Sequence, residues 1–328
     1  MQAGIGTFIQ DTQPLQAGPG CSQATATAVL CSSSTVTALE LNAGDGDDTL
    51  EVEAAKPVTV RGGDGFDTVT MTGTGPATLI GDRGNDTLTS GSGGATCNGG
   101  DGDDLITGGT GPDTLDYSQR SDAMTVFLTT GTASGDAARG TDALEGSIET
   151  VIGGDGDDTL FDEAGTQTLR GGPGNDSMIM SGGGNDRADG NDGDDVFYDG
   201  NGDDRYYGDD GDDTVFLYAS SGADEVNGGL GADTVSYASV IGGLNLSADG
   251  LRNDGVPAST TQLDNVQPDT EIIEGGKGAD TLTATVATLQ LFGLGGNDTF
   301  VSSTGKAALF GGAGQDHVRW SAPARPST

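Results

Sequence analysis

One apolar position recurs along this chain on a beat of nine or eighteen residues. The segments GGDGFDTV (62–69), GGDGDDTL (153–160), GGPGNDSM (171–178), GGKGADTL (275–282) and GGAGQDHV (311–318) share the order G-G-x-G-x-D-x-U, with U apolar. The first six positions are turn chemistry, because glycine reaches positive φ without strain and lets backbone carbonyls converge. Positions seven to nine predict a three-residue strand with U pointing inward and its neighbours outward. Threonine is common at position seven, which suits a strand. The pattern predicts an all-β chain built of short strands and tight turns.

Anchored on the sixth-position aspartate, the unit recurs sixteen times: Asp48, Asp67, Asp86, Asp104, Asp113, Asp158, Asp176, Asp186, Asp195, Asp204, Asp213, Asp224, Asp233, Asp280, Asp298 and Asp316. Each has glycine two residues earlier. All but one have a larger apolar residue or tyrosine two residues later, Ala188 being the exception. Two nine-residue units make one coil with a turn on each edge. Where anchors lie about 18 apart, one edge carries the motif. Where they lie about 9 apart, from Asp176 to Asp233, both do. That segment splits into Asp176, Asp195, Asp213 and Asp233 on one edge and Asp186, Asp204 and Asp224 on the other.

Composition narrows what such a chain does. Glycine is 60 of 328 residues, only 33% are hydrophobic and 5% aromatic, and the net charge is −38. So acidic a surface repels phosphate backbones and anionic lipid, which argues against nucleic-acid partners and membrane insertion. No apolar run approaches the ~20 residues that span a bilayer. Glycine does not fall at every third position with abundant proline, which excludes collagen. An acidic fold held by cations remains. Carboxylates and carbonyls are hard oxygen donors that suit Ca²⁺ better than zinc or copper.

The repeat resembles the RTX, or haemolysin-type, calcium-binding nonapeptide family over roughly residues 41–319. The resemblance implies a right-handed parallel β-roll, or β-solenoid, with Ca²⁺ held between successive turns and the sixteen anchor aspartates as metal residues. One ion for each pair of adjacent turns on an edge gives at most about eleven, since each needs six to eight oxygens. Residues 1–40 are expected to form a cap or the remnant of a preceding domain, and 320–328 a tail. Two inserts interrupt the roll, at about 114–152 and 236–274. Asp104 to Asp158 spans three whole coils, and the first insert, with strand-like stretches from Met124 to Leu128 and Ile148 to Ile152, is expected to continue the strands without calcium turns. The second, which opens with Tyr237, is expected to loop out near Arg252 to Pro268.

Other signals weigh less. Asp199 to Asp203 begins like an EF-hand loop, but Asp204 stands where glycine is required and Asp210 where glutamate is. His317, the only histidine, sits at an outward strand position, so catalytic devices built on histidine are not expected. Cys21 and Cys31 predict a disulfide and an oxidising compartment. Cys97 has no thiol at zinc spacing and is read as incidental. Residues 1–10 lack the cationic and apolar regions of a secretory signal peptide. Tyr198 and Phe216, one coil apart, predict stacked neighbours on an outer face. The reading is a non-enzymatic, extracellular calcium-binding module that folds on metal binding. An adhesin or glycan binder using Tyr198 and Phe216 is the alternative, and a polysaccharide-acting enzyme a more distant one.

Overall fold

The computed structural model describes residues 7–10, 21–25, 28–31, 37–218, 222–257, 263–285, 289–302 and 307–320, the first three segments as backbone alone. Two compact units, Met1–Gly153 and Gly154–Thr328, divide the chain. Each is a parallel β-solenoid, and among the described residues there is no helix. Nothing there is a helix long and apolar enough to cross a membrane.

In unit 1, one ladder stacks Leu39–Asp45, Val58–Asp64, Ala77–Arg83, Ala95–Asp101, Thr114–Asp116 and Thr150–Ile152 in parallel. The other stacks Thr49–Glu53, Thr68–Met71, Thr87–Thr89, Leu105–Thr107 and Thr141–Glu145. The register aligns every eighth-position residue. Leu50, Val69, Leu88 and Ile106 form one column, each at most 2% exposed. These thin columns are the core, which explains how a chain one-third hydrophobic closes at all. Backbone pairing also carries Thr7–Gln10 antiparallel to Thr49–Glu53 and to Ala28–Cys31. Cys21 lies opposite Cys31 in register, but their side chains fall outside the described residues, as does the bridge expected of them.

Unit 2 repeats the plan. Thr159–Phe161, Ser177–Ile179, Val196–Tyr198, Thr214–Phe216, Thr234–Ser236, Ile272–Glu274, Gln290–Phe292 and Ala308–Phe310 make one parallel ladder. Thr168–Pro173, Arg187–Asp192, Arg205–Asp210, Glu225–Leu230 and Leu263–Val266 begin the second.

Both inserts depart from whole coils in the same way. In unit 1, Thr132–Ser134 runs antiparallel to Thr141–Glu145, and Thr125–Phe127 antiparallel to Thr132–Ser134. Strands thus continue through the first insert, but by way of an antiparallel meander in place of a plain coil. In unit 2, Asp254–Gly255 runs antiparallel to Leu263–Val266 and to Asn245–Ser247, which then pairs in parallel with Thr281–Ala284. A buried tyrosine ties each meander down: Tyr117 Oη donates to Asp142 (2.6 Å) and Tyr237 Oη to Asp264 (2.8 Å). Antiparallel return needs only a short turn, whereas each parallel coil costs a full circuit of chain. The ladders resume beyond each meander 36 to 40 residues after the preceding acid of the column, about two coil-lengths.

Candidate metal centre

The turns place the anchor aspartates in columns. In unit 1 the backbone N–H of each donates to Oδ1 of the anchor one coil later: Asp48 to Asp67, Asp67 to Asp86 and Asp86 to Asp104, each at 2.8 Å. In unit 2, Asp158, Asp176, Asp195, Asp213 and Asp233 form one such column at 2.7–3.0 Å. Asp186, Asp204 and Asp224 form a second, entered from Gln167. The third column runs Asp280, Asp298, Asp316. All these anchors are buried except Asp316, which stands exposed on the last described turn.

The glycines set this geometry. At position four, Gly193 has φ 136°, and a Cβ there would overlap the carbonyl oxygen of Gly174 one coil before. At position one, a Cβ on Gly190 would fall on Oδ2 of Asp195 in the same turn. Glycine is thus required both to bring carbonyls of successive turns together and to leave the inner face of the carboxylate open.

One oxygen of each carboxylate is spent on the backbone. The other is the distinctive feature. Oδ2 of Asp86, Asp104, Asp176, Asp186, Asp195, Asp213, Asp233 and Asp298 is buried without a hydrogen-bond partner. A buried, unpaired carboxylate oxygen costs several kcal/mol, of the order of ~3–5, so a proton or a cation is required beside it. Burial pushes many of the anchor carboxyls, with or without such a bare oxygen, far above their ordinary 3.8: Asp195 to about 8, Asp104, Asp176, Asp204 and Asp213 to about 7, and Asp86, Asp233 and Asp280 to about 6. The backbone N–H on Oδ1 opposes that rise, and for Asp195 the neighbouring carboxylates of Asp176 and Asp213 add to it. A donor set of carboxylate and carbonyl oxygens, with excess negative charge, fits a hard divalent cation.

Not every anchor is of this kind. Asp113 accepts from Ser90 Oγ and the Ala95 N–H on one oxygen, and from the Gly109 N–H (2.6 Å) on the other. Asp280 is likewise held on both oxygens, by Leu244 N–H (2.8 Å) and Gly276 N–H (2.7 Å). These two carboxylates brace their turns through protein donors.

Several column members escaped sequence reasoning. Asp142 continues the column from Asp104 (3.2 Å) and Asp264 the one from Asp224 (3.1 Å). Glu149 accepts from Asp113 N–H (2.7 Å), and Glu271 from Asp233 N–H (3.1 Å). All four lie two coil-lengths beyond an anchor, inside inserts that lack the glycine frame. The only available signal was an acidic residue at that distance. A second ladder on position five was also missed. The Asp194 N–H donates to Asn175 Oδ1 (2.9 Å), Asp212 N–H to Asp194 (2.9 Å) and Ala232 N–H to Asp212 (2.8 Å). Here the donor is in the later coil, so the two ladders run in opposite senses and lock each turn from both sides.

The profile described as RTX calcium-binding nonapeptide repeat matches residues 71–94, 98–116, 145–178, 180–215, 216–237, 268–285 and 292–319, more than half of the chain. The chain belongs to the RTX calcium-binding repeat family. The parallel β-solenoid is the fold its repeats imply, and calcium is the ion. No curated protein matches the chain. The family's repeats are typical of secreted proteins, and its β-roll serves structure or binding.

The remaining candidates fall outside the columns. His317 is exposed, its ring Nδ1 3.2 Å from the Gln315 carbonyl. Cys97 is a buried core residue, and burial pushes its thiol up to about 12. Tyr198 and Phe216 stack at 5.3 Å with planes 16° apart.

Proposed function

We propose that this chain is an extracellular calcium-binding β-roll that folds on binding several Ca²⁺ ions and acts as a structural or secretion-linked module without catalytic activity. The carrying observation is the column of buried carboxylates whose second oxygens have no protein partner. An ion between consecutive turns would supply that partner, and on the order of ten ions would offset about half of the −38 charge. Sites that pool glycine-turn carbonyls with few carboxylates suit the ~10⁻⁴ to 10⁻³ M affinities of extracellular modules. The chain would then stay unfolded at cytosolic calcium and fold outside. The test is the calcium midpoint and ion count, by equilibrium dialysis at physiological ionic strength. A submillimolar-to-millimolar midpoint with several ions bound supports the reading, and a midpoint below about a micromolar, in the range of cytosolic sensors, defeats it.

The adhesin reading rests on Tyr198 and Phe216. Their ring faces cover each other, which favours a ladder joining adjacent coils over a platform for a sugar.

A further inference from the structure

On the edge of unit 2 that carries Asp176, Asp195, Asp213 and Asp233, the turns open with Gly171, Gly190, Gly208 and Gly228. A side chain in that first position would point straight at the inner oxygen of the turn's own anchor, as the Cβ overlap at each of the four shows. On the opposite edge two turns open with aspartate: Asp162 and, two coils later, Asp199. Both are buried, at 0% and 5% exposure. The edges are called here the glycine edge and the carboxylate edge.

Asp199 aims its carboxylate between two anchors. One oxygen each from Asp199, Asp204 and Asp224 lie within 4.8 Å of one another. Tyr206 Oη donates to Asp199 (2.9 Å) and lies 3.5 Å from Asp204 Oδ2. Three carboxylates packed this closely, with oxygen-only surroundings, are the donor chemistry of a hard cation. The Asp162 turn supplies an independent observation. There Oδ1 accepts the Gly182 N–H (2.7 Å), while Oδ2 has no partner; the next anchor on that edge, Asp186, is 1% exposed and its Oδ2 has none either. In both turns, then, a first-position aspartate meets the anchor of the following coil: Asp162 meets Asp186 as Asp199 meets Asp224.

We propose that Asp162 and Asp199 are additional calcium ligands: Asp199 makes a three-carboxylate site with Asp204 and Asp224 that fills before the sites of the glycine edge, and Asp162 supplies, opposite Asp186, the carboxylate that its turn lacks at the sixth position. The proposal rests on the calcium reading and adds to it an order of filling. Affinity in oxygen cages rises with the number of charged ligands; the Asp199 turn holds a first-position carboxylate besides its anchor Asp204, and the Asp162 turn, whose sixth position is Gln167, takes its carboxylate from the first position instead. The Asp199 site would bind first and fix the register against which the glycine edge then closes.

The test titrates the full chain with Ca²⁺ by calorimetry and with Tb³⁺ by tyrosine-sensitised luminescence. The variants are Asp162→Ser and Asp199→Ser, chosen because Ser181 opens the turn between them on the same edge. Glu53→Gln, an exposed carboxylate on a unit 1 strand, controls for net charge. The tightest calcium step should weaken by about tenfold or more in Asp199→Ser, each serine variant should bind one ion fewer, and both readings should stay unchanged in Glu53→Gln. Sensitised Tb³⁺ emission should fall in Asp199→Ser, whose site adjoins Tyr206. Should a serine variant fail to fold at saturating calcium, the isosteric Asp→Asn change at the same position carries the same expectation. An unaltered tight step in Asp199→Ser, or an unaltered ion count in both serine variants, with the wild type still binding calcium, overturns the proposal and leaves the calcium reading standing. Wild-type protein that binds no calcium overturns both.

Discussion

The two edges of unit 2 carry the same anchor carboxylates in the same hydrogen-bonded columns, yet open their turns differently. On the glycine edge, Gly171, Gly190, Gly208 and Gly228 leave the inner carboxylate oxygen bare. On the carboxylate edge, Asp162 and Asp199 bring a second acid to it, and Tyr206 and the Tyr218 N–H brace Asp199. The contrast shows that the anchor aspartate sets where a turn stacks, whereas the first position sets how much charge the turn concentrates. One repeat can thereby grade its metal sites along a single unit without changing the backbone path.

The largest effect is expected from exchanging the two edges. Gly208→Asp puts a side chain onto Oδ2 of Asp213 and close to the carbonyl of Gly228. The calcium-loaded fold should lose about 3 kcal/mol or more, the range of buried overpacking with an unpaired charge. Asp199→Gly in the reverse direction overpacks nothing; it removes the acceptor of Tyr206 Oη and of the Tyr218 N–H and should cost the loaded fold less, about 1–2 kcal/mol. Thermal melts in excess calcium measure both. A Gly208→Asp variant as stable as Asp199→Gly would break the comparison.

Acid should partly replace calcium. The folded carboxyls titrate at about 6 to 8, against 3.8 in an unfolded chain. The folded state therefore holds protons that the unfolded state has released. This contribution is full below pH ~4 and lost as pH rises through 6 to 8. Without calcium, β-structure by circular dichroism should grow when pH falls from 8 to 5, and saturating calcium should flatten that profile. Calcium-free signal that rises with pH instead would contradict the burial of these groups.

Position within a column should matter next. Asp195 and Asp204 each border a turn on either side, whereas Asp48 begins its column. Asp195→Ala and Asp204→Ala should lose more bound calcium and more titration cooperativity than Asp48→Ala, because coupling in a solenoid is between nearest neighbours. Equal losses would remove the columns from the account. The smallest effect is expected at the exposed position-five ladder, where Asn175→Ala removes one acceptor from the Asp194 N–H at a cost of about 0.5 kcal/mol.

Much of this was legible in the sequence because the repeat enforces itself locally. Gly, Asp and an apolar residue at fixed offsets specify turn, anchor and inward strand position, and the 9- and 18-residue spacings assign anchors such as Asp195 and Asp204 to opposite edges. Legibility failed where a side chain acts across coils without that frame. Asp142 and Asp264 rejoin the columns only because an antiparallel meander returns the chain to them, without the glycine frame that marks the other turns. Asp162 and Asp199 were hidden for another reason: in an aspartate-rich turn, one more acid at the first position looks like surface charge. Which oxygens of Asp113 and Asp280 are already satisfied depends on donors such as Ser90 Oγ and the Leu244 N–H, which only the folded turn brings within reach.

The central claim is that buried anchor carboxylates make folding conditional on calcium, and far-UV circular dichroism of the full chain at neutral pH tests it most directly. The spectrum should show little β-structure in excess chelator, develop a strong β signal cooperatively as calcium is added, and reverse on rechelation. A spectrum with full β-structure in strong chelator, unchanged by calcium, would contradict the account.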